Sequence, residues 1–253
     1  MFGFRRKRND PVEAESPEGD DTPTDVAFQD GGYAVDLVLC IDVTASMSGI
    51  IETVKRGATR FHERLAKAMA AKEKPVGSLR VKVVAFRDFA ADPSDPVEVG
   101  GFWRLPGEVK EFRRFVSGLR ASGGGDQPES GLEALALAID SEWDLKAERR
   151  RHVIVMFSDA PAHPLGVGRN RDRYPTGMPE DIDALWDRWG RGRGTASVMD
   201  PNAKRLLIFA PEREPWTGIA AGWNNTLHSP STAGTGLSDV DLDDVVGIIA
   251  GSV

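Results

Sequence analysis

The chain has 253 residues, of which 40% are hydrophobic and 28% charged, with a formal net charge of −7. This is ordinary globular composition with enough apolar material for a sizeable core, and it excludes collagen-like, low-complexity and coiled-coil classes. Apolar runs such as 37–41 and 153–157 fall far short of the ~20 residues of a membrane-spanning helix, and the acidic balance opposes sequence-independent nucleic-acid binding.

Residues 1–32 stand apart. They hold four basic residues, Arg5, Arg6, Lys7 and Arg8, and eight acidic ones between Asp10 and Asp30. Prolines interrupt the few apolar positions, so the segment cannot bury enough surface to offset chain entropy. The expectation is a disordered acidic tail, followed by one domain over residues 33–253. No apolar stretch follows the basic residues, so no secretory signal is readable. The single cysteine, Cys40, permits no intrachain disulfide and favours a reducing cytosol. A cytoplasmic protein without a membrane or nucleic-acid partner is expected.

From Tyr33 onward, strand and helix patterns alternate. Residues 35–42 form an apolar run ending in an acid, as a buried strand does. Ile50, Val54, Phe61, Leu65 and Met69 recur at helical spacing. Leu79, Val81 and Val83 alternate with basic residues and predict a second strand. The Asp-Pro-Ser-Asp-Pro cluster at 92–96 is a turn, and 97–103 a short edge strand. Val109, Phe112, Val116 and Leu119 predict the next helix. Pro128 opens another in its first turn. Residues 152–158 form a buried strand ending at Asp159. A long proline- and glycine-rich loop leads to a short helix at 182–189. A strand at 205–210 and helices at 215–227 and 242–249 complete the chain. The alternation implies βαβ crossovers and a doubly wound, Rossmann-like α/β fold. About six mostly parallel strands are expected, with one antiparallel at the edge and helices on both faces. Ligands of such sheets bind beyond the carboxyl ends of the strands.

That rule directs attention to the strand-terminal residues. The first strand runs into Asp42-Val43-Thr44-Ala45-Ser46-Met47, and the later one into Ser158-Asp159-Ala160-Pro161. The loop Gly123-Gly124-Gly125-Asp126-Gln127-Pro128-Glu129 can add a third carboxylate from the same rim. Carboxylate and hydroxyl oxygens gathered in this way suit a hard cation. The competing explanation is helix capping by Ser46, Ser48 or Asp126. Other chemistries fit poorly. Position 44 is threonine, where a haloacid-dehalogenase phosphatase needs a second aspartate. There is no Gly-x-Ser-x-Gly elbow, no phosphate-loop lysine after the glycines, and no H-E-x-x-H. Cys40 reads as a core residue. The arginines at 169, 171, 173, 188, 191 and 193 read as a solvated face, and most of the late tryptophans as core.

The motif at 42–47 resembles the metal-ion-dependent adhesion site of von Willebrand factor A domains, written D-x-S/T-x-S. Gly123 to Glu129 resembles the G-G-G-D-x-P-E form of that family's middle loop, and Ser158-Asp159-Ala160-Pro161 fits its later one. Leu207-Ile208-Phe209-Ala210-Pro211 and Pro215-Trp216 look like a bacterial, intracellular branch. Two departures stand out: Thr44 replaces the commoner serine, and the middle loop lacks a threonine. The resemblance implies metal ligands Asp42, Thr44, Ser46, Asp126 and Asp159, with Glu129 the second choice in the middle loop. It implies a non-enzymatic protein-interaction module whose ion accepts a carboxylate from a protein partner. Assembly or regulatory work in a bacterial cytoplasm is implied, beside an ATPase, kinase or phosphatase system. A hydroxyl-rich site with retained waters suits Mg²⁺ or Mn²⁺ better than Ca²⁺. The rival is a phosphoesterase-like metal hydrolase, with Glu129 or His163 as general base.

Overall fold

The computed structural model describes residues 28–92, 95–124, 127–191, 197–237 and 240–253. In chain order the elements are β1 (Tyr33–Asp42), a 3-10 turn (Ala45–Met47), α1 (Ser48–Gly57), α2 (Phe61–Ala70), β2 (Val76–Phe86), β3 (Val97–Val99), β4 (Trp103–Leu105) and α3 (Val109–Gly118). Then come α4 (Gly131–Ile139), β5 (Arg150–Phe157), α5 (Ile182–Trp189), β6 (Lys204–Pro211), α6 (Trp216–Gly222), β7 (Thr226–Ser231) and α7 (Leu242–Ser252).

Leu37, Leu39 and Ile41 of β1 alternate with Val38 and Cys40, and both sets are buried. A strand apolar on both faces belongs inside a sheet covered on both sides. β1 accordingly pairs in parallel with β2 on one side and β5 on the other. Among the described residues, seven strands form one sheet in the order β3-β2-β1-β5-β6-β7, with β4 also on β2. β5–β6 and β6–β7 are parallel, and β3 and β4 run antiparallel to β2. Two cores result. Leu39 and Ile41 pack with Ile50, Leu65, Phe112 and Ile249 from α1, α2, α3 and α7. Val38 and Cys40 pack with Leu135, Leu185 and Ile219 from α4, α5 and α6. Each fully buried aliphatic side chain contributes roughly 1.5–3 kcal/mol.

The doubly wound α/β fold is the one expected, with differences in detail. The antiparallel edge is two short strands, separated by the Gly100-Gly101 pair. The helical spacing at 50–69 is shared by two helices. α1 stops at Gly57, where an added Cβ would lie 1.9 Å from Leu242 Cδ2 of α7. The helix expected over 215–227 ends at Gly222, and β7 follows. Asn225, at φ 57°, makes the turn between them. Pro128 precedes α4 and lies outside its first turn. Of the tail expected over residues 1–32, residues 1–27 lie outside the described residues. Gln29 N–H, within the span assigned to that tail, donates to Val76 O at 2.8 Å. Among the described residues, no helix is long and apolar enough to cross a membrane.

The chain leaves β1 toward β2 and later returns on its other side at β5. This reversal opens a crevice at the carboxyl ends of β1 and β5.

Candidate metal centre

Asp42 closes β1 at that crevice and is fully buried. Its Oδ1 accepts the Thr44 N–H at 2.9 Å and the Thr44 hydroxyl at 2.6 Å. Its Oδ2 accepts the Ser158 hydroxyl at 2.9 Å. The turn after β1 is therefore tied back onto the strand's last carboxylate. Ser46 Oγ lies 3.5 Å from Thr44 Oγ1 and donates to Asp159 Oδ1 at 3.0 Å. Neither the 3-10 turn nor α1 has a side-chain cap. The capping explanation for Ser46 and Ser48 thus does not hold, and the Ser46 hydroxyl is directed across the crevice to Asp159, just beyond β5.

Asp159, one residue beyond Ser158, is also buried. Its Oδ2 accepts the Gly236 N–H at 2.8 Å, and its backbone carbonyl accepts the Gly234 N–H. Gly236 has φ +63°, and an added Cβ would stand 2.1 Å from the Ser46 carbonyl oxygen. Only glycine fits where the loop before α7 passes under the first motif.

The middle loop approaches from the β2 side. Ala45 N–H donates to Gly123 O, and Gly124 N–H donates to Asp92 Oδ2 at 2.9 Å. Gly124 also has positive φ, and a Cβ there would lie 2.8 Å from Thr44 Cβ and 3.0 Å from Glu129 Oε1. Asp126, the first choice in this loop, lies outside the described residues. Glu129, the second choice, is 4% exposed and enters the crevice from the stretch before α4. Its N–H donates to Pro161 O and its carbonyl accepts the His163 N–H, so the loop after β5 grips its backbone.

Among the described residues, Asp42, Glu129 and Asp159 have no basic side chain paired with them. Burial pushes the Glu129 carboxyl up to about 9, and the charges of Asp42, Asp88, Asp92 and Asp159 add to the effect. Glu129 Oε2 is buried with no hydrogen-bond partner among the described residues. Burial lifts Asp42 to about 6, opposed by the bonds from Thr44 and Ser158 and reinforced by Asp159. An orphaned carboxylate oxygen beside two aspartates and two hydroxyls fits a hard cation. Among the described residues, no three His, Cys, Asp or Glu side chains are arranged to hold an ion by themselves. Among the described residues, the hydroxyls therefore have to share in any coordination shell.

Arg87 supports this arrangement and was not anticipated. It is 6% exposed, and its guanidinium donates to the carbonyls of Ser122, Arg120 and Asp95. Its own carbonyl accepts the Ser130 N–H. The end of β2 thereby fixes both flanks of the middle loop. Ser130 does not cap α4 by its side chain, since its hydroxyl accepts the Phe89 N–H and donates to Asp88. His163 turns to Asp88, with Nε2 3.5 Å from Oδ2. Cys40 is a core thiol whose pKa is raised by burial. Several of the arginines are structural. Arg188 pairs with Asp140, Arg191 with Asp187, and Arg171 donates to Ala90 O. Arg193 lies outside the described residues. Trp189 and Trp216 are wholly buried, as expected of core residues.

The chain is 31% identical over 148 residues to the alpha-protein kinase vwkA of Dictyostelium discoideum, a match covering 58% of this chain and 22% of that protein. It is 24% identical over 182 residues to the putative ariadne-like RING finger protein R811 of Acanthamoeba polyphaga mimivirus, covering 72% of this chain and 16% of that one. The chain thus spans less than a quarter of either relative. The pilus adhesin SpaC from Lactobacillus rhamnosus GG superposes with a TM-score of 0.51 at 9% identity, over 88% of this chain and 31% of that one, which is a likeness of fold. A family model for the von Willebrand factor A domain matches residues 36–167, more than half of the 253. The chain belongs to the von Willebrand factor A domain family.

Proposed function

We propose that this domain is a divalent-metal-dependent protein-interaction module. The observation that carries the reading is the buried Glu129 Oε2, without a hydrogen-bond partner among the described residues, beside Asp42, Thr44, Ser46 and Asp159. A cation held by these residues, with Asp126 a further candidate, would offset the burial, and with it the mutual repulsion, that raise Glu129 and Asp42. The ion, when bound, would supply an exchangeable position for a carboxylate from a protein partner. Mg²⁺ or Mn²⁺ suits the hydroxyl-rich set better than Ca²⁺. The chain's own residues orient the oxygens: Ser158 and Thr44 fix Asp42, Gly236 fixes Asp159, and Arg87 fixes the middle loop.

A bacterial cytoplasmic assembly or regulatory role, beside an ATPase, kinase or phosphatase system, is part of this proposal. The occurrence of a related segment in a protein named as a kinase is in keeping with the kinase association alone. The hydrolase alternative gains no support from the geometry. Its candidate base His163 is turned to Asp88, and Glu129 is buried among acids. The test is partner retention on the immobilised chain, with and without chelator, alongside circular dichroism. Release by chelator with the fold intact is expected. Retention in chelator and in Asp159→Ala would place the partner on another surface.

A further inference from the structure

A second concavity, about 330 Å³, lies on the same carboxyl rim of the sheet. Leu132, Ala162, Leu165, Ile182 and Pro215 give it an apolar lining, and Ile182 is 39% exposed. Glu180, Asp181, Glu214 and His163 line it too, and among the described residues no lysine or arginine does. Two of these acids already have work. Asp181 caps α5 by accepting the Ala184 N–H, and Glu214 accepts the Thr217 hydroxyl and the Gly218 N–H. Glu180 is exposed and makes no hydrogen bond or ion pair among the described residues. The nearby Arg169 donates to the Pro179 carbonyl instead.

We infer that this groove docks a peptide segment whose apolar side chain is flanked by arginine or lysine. The lining removes the apolar side chain from water, and the acids meet the flanking cations. A wholly apolar occupant would desolvate carboxylates without compensation, and an acidic one would be repelled. The groove owes nothing to a bound ion, so this inference stands apart from the metal reading.

The sequence of this chain contains a segment of that chemistry, Phe2-Gly3-Phe4-Arg5-Arg6-Lys7-Arg8, and a synthetic peptide of this sequence serves as the probe. It is titrated in chelator into the full chain carrying Phe2→Ser and Phe4→Ser, so that the chain's own copy does not compete. Methyl resonances of Leu132, Leu165 and Ile182 report binding. Saturable shifts at these methyls are expected, weakened at least about fivefold by Glu180→Lys and by a peptide with serine for both phenylalanines. Shifts confined to other surfaces, or no saturation up to about 1 mM, would overturn the inference. Equal affinity for the serine peptide would also overturn it, since charge alone would then account for binding.

Discussion

Glu129 is the residue where burial and charge conflict most. Its folded pKa, pushed up to about 9, lies above the ordinary value of 4.5. The folded, metal-free chain therefore keeps a proton that the unfolded chain has lost, and stability from this group falls as pH rises between those values. Glu129→Gln should remove that slope and raise metal-free stability above neutral pH, as urea titrations across pH 5–9 would show. A cation must displace the same proton. Divalent affinity should therefore rise with pH over this range, by up to about tenfold per unit where one proton is released, and the rise should flatten in Glu129→Gln. A pH-independent affinity in the parent would separate Glu129 from the ion. Asp42, Thr44, Ser46 and Asp159 were legible in the sequence as strand-end oxygens. Glu129 was legible only as a second choice behind Asp126, because spacing alone does not show that its carboxyl is buried. Ser158 was in view as the neighbour of Asp159, yet its bond to Asp42 depends on the pairing of β1 with β5. Arg87 and Gly236 gave no signal, since both act through backbone groups distant in sequence.

At the scale of elements, the loops of the rim depend on one another. Arg87→Met would leave the carbonyls of Ser122, Arg120 and Asp95 without their donor. A stability loss of about 1–3 kcal/mol is expected, with a drop in divalent affinity larger than that in an equally destabilised core variant such as Val116→Ala. Equal losses in the two would make Arg87 merely structural. Gly236→Ala forces a Cβ against the Ser46 carbonyl at positive φ. It should cost roughly 1–3 kcal/mol by denaturant titration and abolish ion binding, because Ser46 and Asp159 are displaced together. Retained affinity would contradict the packing described here. β1, β2, β5 and β6 were readable from their apolar runs. β7 was not, because Thr-Leu-His-Ser-Pro-Ser carries no alternating apolar face. As an edge strand bonded, among the described residues, to β6 alone it needs none, and it tolerates Pro230. The break between α1 and α2 was equally silent, since the two helices share one apolar spacing.

Across the whole molecule, two apolar cores on either face of the sheet carry the fold, and the acids of the rim contribute little to either. The sheet order places the reversal of winding at β1, which brings Asp42 and Asp159 together although 117 positions separate them in sequence. Chelation should accordingly leave the circular dichroism spectrum unchanged while the partner dissociates. The central claim is that these rim oxygens hold one divalent ion without being needed for folding. Calorimetric titration of Mn²⁺ into the parent, Asp42→Ala and Asp159→Ala, with dichroism on the same samples, tests it most directly. One saturable site in the parent, none in either variant and native spectra throughout are the predicted results. An Asp42→Ala chain that binds the ion as tightly as the parent would contradict the account.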